Sequence, residues 1–393
     1  MRVSRPRPGE PIRLVRNKNG PPRYRVVLDV GLKGDGRRRQ VTQTCETLTS
    51  ARQFVDQTRA DVKRGIYTAP DALTFGGLAD RWLESRRDVR EVTRYGYEQA
   101  LKTVRGRWGG RKAQSLTRAD VEALVSWLAV EGGQRGKGLR QRSVVYVLGT
   151  VRQVLGHGVA EGLLPTNVAV GVKAPRRQRA DTRPTVVWEP TELLAFRDVA
   201  DTDTWAAGWR LTLCGLRRSE VLGLTWEHAD LDAGTVTVRQ GRVLLDGHRT
   251  AVDDPKSAAS WRTVPVESMH PGTVALLRSL KARQAADRLA AGTAYDDTGG
   301  YLLADALGTP VRPEAYSDRF GELCRQAQVP TVWLHSTRHT LALQMHRAGV
   351  APADAAALLG HTVAVHLASY VPRTERGAQS AATALGGVLA AAR

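Results

Sequence analysis

Cysteine is scarce in this chain: three in 393 residues, at Cys45, Cys214 and Cys324. They are too few and too scattered for a disulfide framework or a zinc cluster. No run of apolar residues is long enough to span a bilayer, and the mean hydropathy is -0.32, so no membrane span is expected. The first residues, MRVSRPRPGEPIRLVRNKNG, are basic but hold no apolar core. No secretory signal is therefore expected, and the chain reads as cytoplasmic. Acidic residues are also in short supply, with 39 Asp and Glu against 58 Lys and Arg. Lysine is the rare cation, only 9 of those 58.

The excess of +19 and a pI near 10.5 point to a polyanionic partner, most often nucleic acid. The charge is uneven. Residues 1–70 hold 16 basic and 6 acidic residues, so +10 sits in under a fifth of the chain. A length of 393 predicts two to three domains at roughly 150 residues each. Hydrophobic residues at 42% and charged residues at 25% are ordinary for globular domains.

Within 1–70, Tyr24–Val30 reads as a strand, Gly34-Asp35-Gly36 as a turn and Arg37–Thr44 as the return strand. A helix is expected from about Ser50 to Arg64. Gly31, Gly34 and Gly36 sit in this hairpin with no helix opening behind them, so they are no phosphate loop. Residues 72–170 are predicted all-helical. Phe75, Leu78 and Trp82 share one stripe, and Val121, Leu124 and Leu128 another. The longest is Val144, Leu148, Val151, Leu155 and Val159. Residues 171–187 carry two prolines, five basic residues and no periodicity, as a basic linker does. Residues 188–372 are mixed, mainly helical, with strands at Thr235–Arg239 and around Trp261–Val266. A tail helix is expected over 373–393, on a stripe of Ala378, Ala381, Ala382, Leu385 and Leu389. The fold class is α+β multidomain: a small sheet with a helix, an all-helical domain, and a mixed domain with a small antiparallel sheet.

Several chemistries drop out. His335 and His339 have the spacing of a helical zinc pair, but Ser336 stands where the general-base glutamate would be. There is no carboxylate cluster suited to two magnesium ions and no glycine-rich loop before a lysine. A metal-free reaction on DNA would need protein cations to meet phosphate charge and a side chain as nucleophile. The C-terminal half contains such a set: Arg217 and Glu220 after Gly215; Lys256 between Pro255 and Val266, expected on a hairpin; His335 and Arg338; Gly360-His361; and Tyr370, nine residues beyond His361.

In this order and spacing the sequence resembles the tyrosine recombinases, and among them the phage-type integrases. The resemblance is strong over about 190–372. Residues 72–170 resemble the core-binding domain of that family, and 1–70 the arm-type DNA-binding domain. It implies Arg217, Lys256, His335, Arg338 and His361 as active-site residues and Tyr370 as the nucleophile, with no cofactor and no metal. It further implies site-specific recombination of a phage or mobile element through a 3′-phosphotyrosyl link and a four-way junction. Double-stranded attachment-site DNA, a homotetramer on that DNA, and a host DNA-bending protein or directionality factor would be the partners, with no membrane. The setting would be the nucleoid of a bacterial cytoplasm. Two competing readings are a type IB topoisomerase, which shares the chemistry, and a non-catalytic DNA-binding accessory protein.

The residue types fit that chemistry. Arginine offers paired donors to phosphate oxygens. A phenol near pKa ~10 needs a cationic pocket and a proton acceptor. His335 is the natural acceptor, His361 can donate to a phosphate oxygen, and Lys256 can protonate the departing 5′-oxygen. Glu220 is expected to pair an arginine or cap its helix, and Ser336 to cap the helix of His335. Arg218 and His339 read as structural or phosphate contacts. His366, where the family often has threonine, is expected to touch DNA or face solvent.

Overall fold

The computed structural model describes residues 4–16, 21–32, 37–65, 67–133, 136–176, 186–246, 249–253 and 261–369. In the tail it describes 382–383, 385–387 and 389–390. Lys256 and Tyr370 lie outside the described residues, as do much of the basic linker and most of the expected tail helix. The chain divides into two compact units, Met1–Asp181 and Thr182–Arg393.

The first unit opens with an antiparallel sheet of β1 (Ile12–Val15), β2 (Arg23–Leu32) and β3 (Arg38–Cys45), in that order, followed by α1 (Leu48–Lys63). Alternation along β2 makes the sheet two-faced. Tyr24, Val26 and Leu28 are buried with Ala51 and Val55 of α1, while Arg25 and Asp29 point outward. Thr47 and Ser50 cap α1 reciprocally. The strand β1 is an addition to the expected hairpin. Four residues are too short for alternation to declare itself, and its pairing to β2 is what reveals it.

Helices α2 (Phe75–Ser85), α3 (Glu91–Trp108), α4 (Arg118–Val130) and α5 (Gln141–Ala160) follow. Their apolar stripes meet in one core that holds Phe75, Leu78, Trp82, Leu124, Leu128, Val144, Leu148, Val151 and Leu155. Trp108 meets Phe75 edge-on at 5.5 Å.

The second unit contains α6 (Pro190–Ala200), α7 (Ala206–Leu213), α8 (Arg218–Gly223), β4 (Ala229–Asp230), β5 (Thr235–Val238), β6 (Gly241–Leu244), β7 (Thr250–Asp253) and β8 (Arg262–Val264). Then come α9 (Val266–Met269), α10 (Thr273–Ala291), α11 (Pro313–Gln326), α12 (Leu334–Arg347), α13 (Pro352–Leu359) and α14 (Val363–Ser369). An aromatic cluster of Trp188, Phe196, Trp209, Tyr316 and Phe320 ties α6, α7 and α11 together, with Trp209 stacked on Tyr316 at 4.0 Å. Thr340 Oγ1 accepts the Trp188 backbone N–H, which fixes α12 against this core.

The strands flanking Lys256 do not pair with each other among the described residues. β7 pairs with β6, whereas β8 pairs with β5 in the sheet β4-β5-β8. The expectation of Lys256 on a hairpin falls on residues 254–260, which lie outside the described residues.

Candidate active site

Gly215 ends α7 with φ +83, and a Cβ there would meet Leu341 and Leu359 at under 3 Å. This glycine is required by both conformation and space. The turn delivers Arg217 to the N-cap of α8, where the backbone N–H donates to Glu220 Oε2 at 2.8 Å and Nη1 donates to Oε1 at 2.5 Å. Glu220 thus both pairs an arginine and caps the helix.

A third arginine enters that the motif did not single out. Arg262, at the start of β8, donates from Nη2 to Glu220 Oε2 at 2.9 Å and from Nε to the Leu358 carbonyl at 2.7 Å. Arg338 is fully buried and donates to the carbonyls of Gly215 and Leu359. Arg217 Nη2 donates to the Gly360 carbonyl at 3.0 Å. Three guanidiniums therefore sit on three consecutive carbonyls, 358 to 360, where α13 ends. A helix C-terminus leaves such carbonyls unpaired and carries partial negative charge, so it holds cations well. Gly360, with φ +66, is the residue that lets Arg262 in: a Cβ there would lie 2.6 Å from its Nη1. Three arginines against one carboxylate leave a formal +2 in this cluster.

The carboxylate is the keystone. Burial alone would raise the pKa of Glu220, but the hydrogen bonds from Arg262 and the charges of Arg262, Arg217 and Arg338 outweigh it and hold it at about 2. A depressed carboxyl contributes stability that is present above its unfolded value, near ~4.3, and lost as pH falls through the folded value. The shift corresponds to roughly 3 kcal/mol. Urea unfolding of the second unit should therefore weaken between pH ~4.5 and 2, and Glu220→Gln should flatten that slope. An identical slope in the variant would remove Glu220 from this role.

His335 stands in the first turn of α12 with its side chain open to solvent. The protein crowded about its ring, together with the charges of Arg338, His339 and Arg217, pushes its pKa down to about 4. At neutral pH it is a neutral imidazole able to accept a proton. His361 is likewise pushed down to about 4, by burial first and then by Arg338. Its Nδ1 lies 3.4 Å from Arg338 Nη2. Arg217, His335 and Arg338 line one groove of about 900 Å³ with Arg218, Ser317 and Trp333. Trp333 is 83% exposed at the rim.

Two expectations need correcting. Trp333, not Ser336, is the N-cap of α12, and it makes no side-chain cap bond. Ser336 lies a turn further in and is buried, because the helix starts earlier than the polar residue suggested. His366 neither faces solvent nor is open to DNA. It is 1% exposed, and its Nδ1 lies 3.1 Å from His361 Nε2. Arg218 donates to Ser317 Oγ at 2.6 Å, a tie between α8 and α11. Arg262 could have been suspected only from its place six residues beyond Lys256; one arginine among 49 carries no signal by type.

Residues 203–376 match the phage integrase family. A XerC-like tyrosine recombinase of Caldanaerobacter subterraneus subsp. tengcongensis is 23% identical over 366 residues, covering 88% of this chain and 90% of that one. Among solved structures, the Tn1549 transposon integrase in complex with a circular intermediate DNA aligns with TM-score 0.63 and 19% identity, over 80% of this chain and 99% of the other. A lambda integrase tetramer bound to a Holliday junction aligns with TM-score 0.53 and 14% identity, over 94% and 99%. At these identities the structural likeness is one of fold, and the family match spans the arginine and histidine cluster. Residues 203–376 thus form a domain of the phage integrase family, and over most of its length the chain is similar to a tyrosine recombinase, a DNA breaking-rejoining enzyme.

Proposed function

We propose that this protein is a site-specific integrase that inserts and excises a phage or another mobile element, with Tyr370 as nucleophile. The observation that carries the reading is the +2 cluster of Arg217, Arg262, Arg338 and Glu220 on the end of α13. A built excess of fixed cations beside neutral histidines suits a phosphodiester that gains charge in its transition state.

In this reading Tyr370 Oη attacks phosphorus and the P–O5′ bond breaks, leaving a 3′-phosphotyrosyl link. His335 accepts the phenol proton, and Lys256 protonates the leaving 5′-oxygen. Arg217 and Arg338 hold the equatorial oxygens, and His361 donates to one of them. Without DNA, Arg217 spends donors on Glu220 and Gly360, and Arg338 on two carbonyls. Phosphate binding would exchange some of these acceptors for stronger anionic ones. The incoming phosphate charge would also raise His335 from about 4 toward a useful base. A 5′-hydroxyl of the partner strand then reverses the step. Two such rounds pass through a four-way junction held by four protomers, the assembly described for the lambda integrase relative. The reaction belongs in the cytoplasm of a bacterial cell, on chromosomal and element DNA.

Residues 1–70 serve as an arm-type DNA-binding domain and 72–170 as the core-binding domain in this scheme. The +10 charge of the first supports it. A fragment beginning at Leu73 should still footprint the crossover core, with a shallower salt dependence because fewer phosphates are neutralised. Retention of every footprint of the full chain by that fragment would overturn the arm assignment.

The function is tested by placing the two junctions of the integrated element on separate plasmids and adding the protein without metal. Joint molecules with exchanged flanks are expected. Relaxation of a plasmid that lacks any site would instead indicate a topoisomerase, and binding without a covalent link an accessory protein.

A further inference from the structure

His361 is paired with His366, a histidine that the strand-transfer scheme does not use. Their rings stack at 12° with centroids 5.3 Å apart, and Nε2 of the first faces Nδ1 of the second at 3.1 Å. His366 is 1% exposed on a helix whose apolar side chains Val363, Val365 and Leu367 point outward. A polar ring turned inward while its apolar neighbours face water has been placed there by a specific contact, since the hydrophobic effect would favour the reverse.

The direction of that contact follows from the far side of His361. Arg338 Nη2 can only donate, and it lies 3.4 Å from His361 Nδ1. A proton on Nδ1 would face a guanidinium, so the proton of the neutral ring sits on Nε2. His361 therefore donates from Nε2, and His366 Nδ1 accepts. Burial lowers the pKa of both histidines, which keeps both rings neutral and this donor–acceptor order intact.

We infer that His366 is a positioning residue for His361: it fixes the tautomer and the ring plane that leave the proton on Nε2. The inference rests on the reading of His361 as a phosphate donor, because Nε2–H is the group a phosphate oxygen would take. An anionic oxygen is a stronger acceptor than a neutral imidazole, so arriving DNA displaces His366 from a donor already aimed. The second nitrogen of a histidine commonly sets the state of the first in this way. His366 stands four residues before Tyr370, so the segment leading to the nucleophile also orients the phosphate donor.

The test uses the full chain with His366→Leu, which removes the acceptor, and His366→Asn, whose Oδ1 takes the place of Nδ1. Single-turnover cleavage of a nicked duplex should slow about 10-fold to 100-fold in the leucine variant, as for a misaimed catalytic group. DNA affinity should be unchanged, and asparagine should restore most of the rate. Equal slowing in both variants, or no slowing in leucine, would overturn the inference. A second readout does not depend on activity. Ring-nitrogen NMR of the wild-type protein, assigned through His361→Gln, should show Nε2 protonated and Nδ1 bare, with mixed tautomers in His366→Leu. Protonated Nδ1 in the wild type would overturn the histidine pair. Absence of any covalent adduct from wild type, with the nitrogen shifts as expected, would instead count against the proposed function and leave the pair standing.

Discussion

Tyr370→Phe is expected to bind its crossover DNA as the parent does and to form no covalent product with it. The substitution deletes one oxygen and keeps the ring, so packing and charge are preserved. What is lost is the only atom of the side chain that can attack phosphorus. Tyr370 directly follows Ser369, the last residue of α14, whose preceding segment leaves α13 at the cluster of Arg217, Arg262 and Arg338. The contrast is near-absolute because nucleophilic catalysis has no fallback at this site. A phenyl ring has no atom that can be linked to phosphorus. Loss of binding in step with cleavage would mean that the hydroxyl is structural.

The second large effect is expected at Lys256. In a chain that spends 49 of 58 cations on arginine, one lysine stands alone between Ala174 and Leu280. A guanidinium holds its proton too tightly to act as an acid, whereas an ammonium can be tuned. Lys256→Arg keeps the charge, so DNA binding should change little. Cleavage should fall by roughly 10²–10⁴-fold, the usual worth of a positioned acid. A substrate with sulfur in place of the bridging 5′-oxygen needs no proton on leaving, and it should restore most of the rate. Variants of Arg217 and Arg338 should stay slow on the same substrate. If Lys256→Arg is equally slow on oxygen and sulfur, Lys256 stabilises phosphate charge and does not donate the proton.

Much of the fold could be read from spacing. The stripe from Val144 to Leu155 lies in the core of α5 as its period of three and four requires. Alternation over Tyr24–Leu28 marks β2 in the same way. The mixed second unit was less legible, because its ladders depend on which strands meet. Thr250–Asp253 has the composition of a strand, but nothing in it says that its partner is Gly241–Leu244 and not Arg262–Val264.

The site was legible where residue type is rare or spacing is tight, as for Arg217 with Glu220 or His335 with Arg338. It was opaque where a common residue does specific work. Arg262 is chosen by the carbonyl of Leu358 and by the gap at Gly360, and neither has a side-chain signature. His366 was misread because α14 inverts the usual pattern. Its valines and leucine face out and its histidine faces in, so hydropathy along the helix points to the wrong face.

Strand transfer by this route passes through a covalent bond between one tyrosine and the 3′ side of a DNA break. A nicked duplex that loses its short 5′-hydroxyl fragment on cleavage should trap that bond, in the presence of a chelator. Digestion of the trapped complex and mass spectrometry of the nucleotide-bearing peptide then locate the link. A 3′-phosphotyrosyl adduct is expected on the peptide containing Tyr370, with a free 5′-hydroxyl on the released fragment. An adduct on any other residue, a 5′ linkage, or cleavage with no protein attached would contradict it.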